Sequence, residues 1–381
     1  MVQSPARTEE TQSTAGAADH DHLPIQGIDY IEFYVGNAKQ AAHFYRTGFG
    51  FRLTAYSGPE TKVRDRASYV VEQGDIRFVF TAALTPDSEI ARHVNLHGDG
   101  VKDVALRVDD AAAAFAAAVA RGAEPVLEPT WIEGKKGRIQ KAAIKTYGET
   151  VHTFINRAEY VGTFAPGFVR MEDPRGEQGV GLQRIDHVVG NVELGKMNEW
   201  VDFYARVMGF SQLVHFDDQA ISTEYSALMS KVMQDGSGKI KFPINEPAEG
   251  KRKSQIEEYL DFYRGPGVQH IALISDNIVA TVEDMHRRGI GFLRIPGTYY
   301  EELPERIGQI EEPLDALERL GILADRDEDG YLLQIFTKGV QDRPTIFFEI
   351  IERHGAQGFG AGNFKALFVA LEAEQEKRGN L

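Results

Sequence analysis

The sequence contains no cysteine. That absence excludes disulfides, thiolate nucleophiles, iron–sulfur clusters and cysteine-type zinc sites, so any metal must be held by His and carboxylates. Positive charge is also short: Lys plus Arg number 42 against 57 Asp plus Glu, a formal net charge of −15. Phosphate and anionic membranes demand clustered positive charge, which argues against a general nucleic-acid or membrane-surface partner. No apolar run approaches the roughly 18 residues of a membrane span, and no basic-then-apolar signal pattern opens the chain. The expectation is a soluble, cytoplasmic protein. What is present is ordinary for a globular chain with a proper core: 381 residues, 42% hydrophobic and 26% charged. At about 150 residues per domain, two or three domains fit.

Residues 1–24 are small, polar and without periodicity, which predicts a disordered tail; His20 and His22 there have nothing to fix their geometry. Beyond it the chain repeats itself. Ile28-Asp29 matches Ile185-Asp186, Phe44-Tyr45 matches Phe203-Tyr204, and Gly50-Phe51 matches Gly209-Phe210. A second stretch from Gly100 lies over one from Gly267, in register through Arg121-Gly122 over Arg288-Gly289 to Pro129 over Pro296. Each copy reads as strand, helix with Asp109 or Asp276 near its start, Gly at the helix end, then strand. Generic strand–helix pairs would not hold Gly, Arg-Gly and Pro in register over thirty positions. The predicted fold is α+β: two tandem βαβββ-type modules, residues 25–165 and 180–381, forming open barrel-like sheets with outer helices. A Gly- and Pro-rich link joins them. Residues from Thr298 to Asp329 form an insertion with a helical pattern. Phe364, Leu367, Phe368 and Leu371, at i, i+3, i+4 and i+7, mark one face of a terminal helix capped by Asn363.

A duplication makes one half a control for the other. His187 stands where the first half has Tyr30, His270 where it has Asp103, and Glu349 opposite Phe154. All three lie in strand-like apolar runs. A lone His or Glu in a strand is more often a hydrogen-bonded core residue than a ligand. Glu349, however, sits between Phe347-Phe348 and Ile350-Ile351, where a charge is costly unless paired or bound to a cation. Two His and one carboxylate from three strands fit the facial triad of non-haem Fe(II) oxygenases, which leaves open positions for substrate and dioxygen. Gln334 is a further polar residue interrupting an apolar strand, so its amide needs a partner. Gln255, beside Lys251, Arg252 and Lys253, reads from the residues alone as part of a solvated basic loop. Gly358, Gly360 and Gly362 before the last helix suit a hinge or lid.

Several stretches then resemble a known family. PINEP (Pro243 to Pro247), KRKSQI (Lys251 to Ile256), GPGVQHIAL (Gly265 to Leu273), GYLLQIFTK (Gly330 to Lys338), DRPTIFFEIIER (Asp342 to Arg353) and GFGAGNF (Gly358 to Phe364) resemble the 4-hydroxyphenylpyruvate dioxygenases of the vicinal-oxygen-chelate superfamily. The resemblance implies that His187, His270 and Glu349 hold Fe(II) and that the first module is metal-free. It implies that Gln255, Gln334, Asn245 and Ser226 offer hydrogen bonds to the substrate. Phe336, Phe347, Phe359, Phe364, Pro243 and Asn363 would complete the substrate pocket, with the last helix as its lid. The implied partners are 4-hydroxyphenylpyruvate and O2, and the implied assembly is a homodimer or another homo-oligomer. The implied products are homogentisate and CO2. The 4-hydroxymandelate synthases share fold and triad, and non-catalytic aromatic-binding proteins share the fold, so both stay as alternatives.

Overall fold

The computed structural model describes residues 23–174, 176, 179–216, 227–248 and 250–380. Residues 1–22 of the stretch read as a tail lie outside these; Leu23 is already buried, and the first strand opens at Ile25. The first half carries β1 (Ile25–Tyr34), β2 (Arg52–Ser57), β3 (Arg66–Gln73), β4 (Ile76–Ala83), β5 (Gly100–Val108), β6 (Pro125–Gly134), β7 (Gly137–Lys145), β8 (Val151–Asn156) and the short β9 (Val169–Arg170). Its helices are α1 (Ala38–Gly48), α2 (Glu89–His97) and α3 (Ala111–Ala120). The second half carries β10 (Leu182–Asn191), β11 (Ser211–Phe216), β12 (Ala227–Gln234), β13 (Lys241–Ala248), β14 (Gly267–Ser275), β15 (Leu323–Arg326), β16 (Tyr331–Phe336) and β17 (Phe347–His354). Its helices are α4 (Met197–Phe203), α5 (Gln255–Tyr263), α6 (Ile278–Arg287), α7 (Thr298–Ile307), α8 (Leu314–Leu320) and α9 (Phe364–Lys377).

The two sheets share one topology. The first runs β6-β7-β8-β5-β1-β4-β3-β2-β9 and the second β15-β16-β17-β14-β10-β13-β12-β11. The α+β duplication is what the chain builds, but each half holds two βαβββ units where the sequence suggested one, and these meet through one antiparallel pair, β1 with β5 and β10 with β14. The kept Gly-Phe has a backbone cause. Gly50 and Gly209 both sit at φ 73°, the left-handed region that ends a helix and that glycine enters without strain. The helix caps fall one residue later than the sequence pattern suggested: Asp110 accepts from Ala112 and Ala113 N–H, and Asn277 from Ala280 N–H. The insertion folds as α7 and α8, interrupted around Pro313, and then adds β15 to the sheet edge.

One core joins the halves. Phe348 on β17 is fully buried and meets the rings of Tyr45 (5.6 Å), Phe49 (5.0 Å) and Phe78 (5.9 Å) from the first half. Burying such a ring contributes about 1.5–3 kcal/mol. The strand that carries Glu349 is therefore anchored from behind by the other module.

Candidate metal centre and active-site cavity

β10, β14 and β17 are neighbours, and their register decides the site. His187, Ala272 and Glu349 lie in one cross-strand row, and His270 is two residues before Ala272, on the same face. Ala272 offers only a methyl group between them, so the side chains converge above it. Glu349 Oε2 is 3.2 Å from His187 Nε2 and 3.5 Å from His270 Nε2. Ligands about 2.1 Å from a metal sit about 3.0 Å apart at right angles, so the set fits one small divalent ion after minor adjustment.

Each ligand is held by a second group. Asp186 Oδ2 accepts from His187 Nδ1 (2.8 Å), and Gln269 Oε1 from His270 Nδ1 (2.9 Å). Both acceptors fix the tautomer that turns Nε2 toward the centre. Arg353 in turn grips Asp186 with Nε and Nη2, at 3.0 and 2.8 Å. Gln334 Nε2 donates to Glu349 Oε1 (2.8 Å), which leaves Oε2 as the free donor to a metal. Burial works to raise the Glu349 carboxyl, but His187 and His270 bring it down to about 2. Burial also opposes charge on Asp186, yet the His187 hydrogen bond and Arg353 hold it well below the usual carboxylate range. His187 is raised because Glu349 and Asp186 outweigh its burial.

Over the triad lies a half-open cavity walled mainly by aromatic and aliphatic side chains with a few amides among them, the make-up of a small-molecule site. Of the residues the resemblance assigned, His187, His270, Glu349, Asn245, Gln255, Gln334, Pro243, Phe336, Phe347, Phe359 and Phe364 all line it. Ser226 lies outside the described residues. Asn363 does not reach the cavity. Its amide donates to Gln334 Oε1 (2.9 Å) and its oxygen accepts from Tyr299 OH (2.7 Å), so it positions Gln334 from behind and caps nothing with its side chain. The apolar face of α9 is the cavity's roof, with Phe364, Leu367, Phe368 and Leu371 all facing in. Gln255 opens α5 behind the Ser254 cap and leaves the exposed basic residues before it to solvent. Sequence reasoning passed over Ser230 and Gln269, which also line the cavity, and Asp186 and Arg353, which brace it. The Ile-Asp pair common to both repeats was the available signal for Asp186.

In the first half the same positions carry other side chains. Tyr30 pairs across to Ala105 as His187 does to Ala272. The register of β8 places Thr153, and not Phe154, at the position of Glu349: Asp103 pairs with Val151 as His270 pairs with Phe347. A one-residue slip reverses the face; Phe154 points into the core. Tyr30 OH donates to Asp103 (2.9 Å), Thr153 Oγ1 donates to the same carboxylate (2.6 Å), and Lys141 Nζ donates to Tyr30 OH (2.7 Å). These side chains bond to one another, and among the described residues no group of His and carboxylates matching the second half's stands at this position.

These features define a protein class: paired, curled βαβββ sheets with a His/His/Glu centre in the second. A profile described as the Glyoxalase/Bleomycin resistance protein/Dioxygenase superfamily matches residues 184–335, and one described as Hydroxyphenylpyruvate dioxygenase, HPPD, N-terminal matches residues 20–164. The chain is 47% identical to a 4-hydroxyphenylpyruvate dioxygenase of Yarrowia lipolytica over 99% of its length and 98% of the relative's. It is 50% identical to that of Dictyostelium discoideum, covering 94% of this chain and 100% of the relative. A triply substituted 4-hydroxymandelate synthase from Streptomyces coelicolor superposes with a TM-score of 0.84 at 34% identity, over 93% of this chain and 100% of that one. The chain belongs to the 4-hydroxyphenylpyruvate dioxygenase family.

Proposed function

We propose that this chain uses Fe(II) at His187, His270 and Glu349 to convert 4-hydroxyphenylpyruvate and O2 into homogentisate and CO2. The observation that carries the reading is the His/His/Glu triad at the floor of an aromatic cavity with the amides of Asn245, Gln255, Gln269 and Gln334 at its walls. A 2-oxo acid suits this floor, because three protein ligands leave positions for its carboxylate and keto oxygen. The iron, when bound, supplies the redox chemistry that lets O2 react with a closed-shell organic molecule. The chain's own residues bind and orient. Phe336, Phe347 and Phe359 surround the substrate ring and exclude water. Gln334 holds Glu349 in place. The amides of Asn245, Gln255 and Gln269 offer hydrogen bonds to the phenol and the acid. No side-chain nucleophile takes part. The oxidation balances without a reductant: the acid's decarboxylation supplies two electrons and the ring hydroxylation the other two that O2 requires.

The choice between homogentisate and hydroxymandelate turns on which of two adjacent carbons is oxidised, a displacement on the 1 Å scale that matters for catalytic positioning. Phe336 faces the cavity beside His270, with ring centroids 6.2 Å apart, where its bulk presses the substrate ring toward the metal. The test is anaerobic loading with Fe(II), addition of 4-hydroxyphenylpyruvate and O2, and product identification by mass and retention time. Homogentisate is expected from the native chain, with some flux diverted to benzylic hydroxylation by Phe336→Ile. Mainly hydroxymandelate from the native chain would overturn the reading.

A homo-oligomer, homodimer or larger, belongs to the same reading. Its support is β6, an edge strand exposed along its whole length that presents Val126, Leu127, Trp131 and Ile132. Apolar edges of that kind are normally covered.

A further inference from the structure

A second group of two histidines and a carboxylate lies in the first half, away from the cavity: His93, His97 and Glu149. His93 and His97 are i and i+4 on α2, so both imidazoles leave one helix face. They are 1% and 3% exposed. Glu149 reaches them from the turn between β7 and β8. Its Oε2 is 2.8 Å from His93 Nδ1 and 3.5 Å from His97 Nε2. Ligands about 2.05 Å from a tetrahedral metal sit about 3.3 Å apart. The two separations bracket that value, and they are close to the 3.2 and 3.5 Å found around Glu349.

The protonation pattern suits a ligand set. His97 Nδ1 donates to the carbonyl oxygen of Tyr263, which can only accept, so Nε2 carries the lone pair. That buried Nε2 has no hydrogen-bond partner, and an unmet polar atom in a dry place is costly. His93 turns Nδ1 toward the same point, where it is hydrogen-bonded to Glu149 Oε2, and a metal would take the place of that proton. The neighbouring cation, Lys102, is engaged elsewhere: its Nζ donates to the Glu149 backbone oxygen (2.8 Å) and pairs with Glu89 (3.2 Å). A third group, Glu312, Glu352 and His354, is unlike this one, because Glu352 Oε2 already accepts from the Ile278 backbone N–H.

We propose that His93, His97 and Glu149 form an accessory site for a divalent cation of the zinc type, with water as fourth ligand. Such an ion ties α2 to the β7–β8 turn. Through the Tyr263 carbonyl it also braces α5, the helix of the second half that begins at Gln255. The site would lie on the outer helix of the first half, apart from its barrel interior, where Tyr30 and Thr153 bond to Asp103.

The test uses the untagged full chain loaded with Fe(II), dialysed against micromolar Zn(II), with both metals counted by mass spectrometry. One zinc per chain beyond the iron is expected. Glu149→Gln, at an exposed side chain, and His97→Phe, which keeps the stacking on Tyr263, should each lose that zinc and keep the iron. No zinc uptake, uptake matched by loss of iron, or uptake retained in either variant would overturn the proposal. The last result would place the zinc elsewhere, for instance on His20 and His22.

Discussion

The residue that most separates scaffold from chemistry is Asp186. Its first-half counterpart Asp29 is gripped by Arg157 at 2.9 and 3.1 Å, as Asp186 is by Arg353. The Asp–Arg pair is thus common framework, and the second half adds an imidazole to it. Asp186 then serves both partners, accepting from Arg353 and orienting His187. Carboxylates that orient metal-bound histidines commonly contribute 10–100-fold in affinity. Asp186→Asn should therefore weaken Fe(II) binding by about 10–100-fold, read by competition with a chelator. Affinity within twofold of native would show that Asp186 acts only through the Arg353 pair. Histidines and Glu349 were legible in the sequence because the other repeat lacks them. Asp186 was visible but unassigned, because a residue kept in both copies carries no contrast.

Among the elements, α9 and the glycine segment before it differ most from expectation. Three glycines suggested a swinging joint, yet the segment is fastened. Asp327 Oδ2 accepts from Gln357 and Gly358 N–H at 2.8 Å, and Asp325 Oδ2 from Gly362 N–H at 2.9 Å. Gly360 adopts φ 72°, and a Cβ there would stand 2.0 Å from Gln334 Oε1. The glycines serve close approach, and the helix they lead into is latched at its far end by Arg378 on Glu258, at 3.0 and 2.7 Å. Ending the chain after Gly358 removes the roof and the Asn363 contact to Gln334 but leaves β10, β14 and β17 intact. Turnover should fall by about two orders of magnitude or more while iron stoichiometry stays at one per chain, since misplacement on the 1 Å scale already costs about 10²-fold. Near-native kcat in the truncated chain would remove the roof assignment.

At the scale of the whole molecule, the first half is a buttress. His152 on β8 is buried at the junction, with Nδ1 donating to Val104 O (2.9 Å) and Nε2 beside Tyr204 OH (2.8 Å), and it stacks on Phe242. Burial lowers its pKa from 6.5 to about 4. The unfolded chain therefore binds more protons than the folded one between those values. Stability from this group is complete above pH 6.5 and is lost as pH falls toward 4, a contribution of about 3 kcal/mol at most. His152→Gln keeps polar atoms at the junction but cannot titrate. Its stability should fall less steeply from pH 6.5 to 4 than that of the native chain, measured by urea midpoints across that range. Parallel curves would assign the acid sensitivity to other groups, His93 among them.

The sequence by itself determined the duplication, the starts of α3, α6 and α9 to within a residue, and the contrast that singles out His187, His270 and Glu349, because local spacing and the comparison of two copies set them. The aromatic residues of the cavity came from the family resemblance. Tertiary structure decided the rest. Whether Phe154 or Thr153 faces the site depended on strand register, where a slip of one residue reverses every side chain. Asn363 proved a brace because the approach of β16 to the glycine segment brings Gln334 within reach of it. The grouping of His93 and His97 with Glu149 joins a helix to a turn some fifty residues away, and no periodicity along the chain records which turn a helix will meet once the sheet has curled.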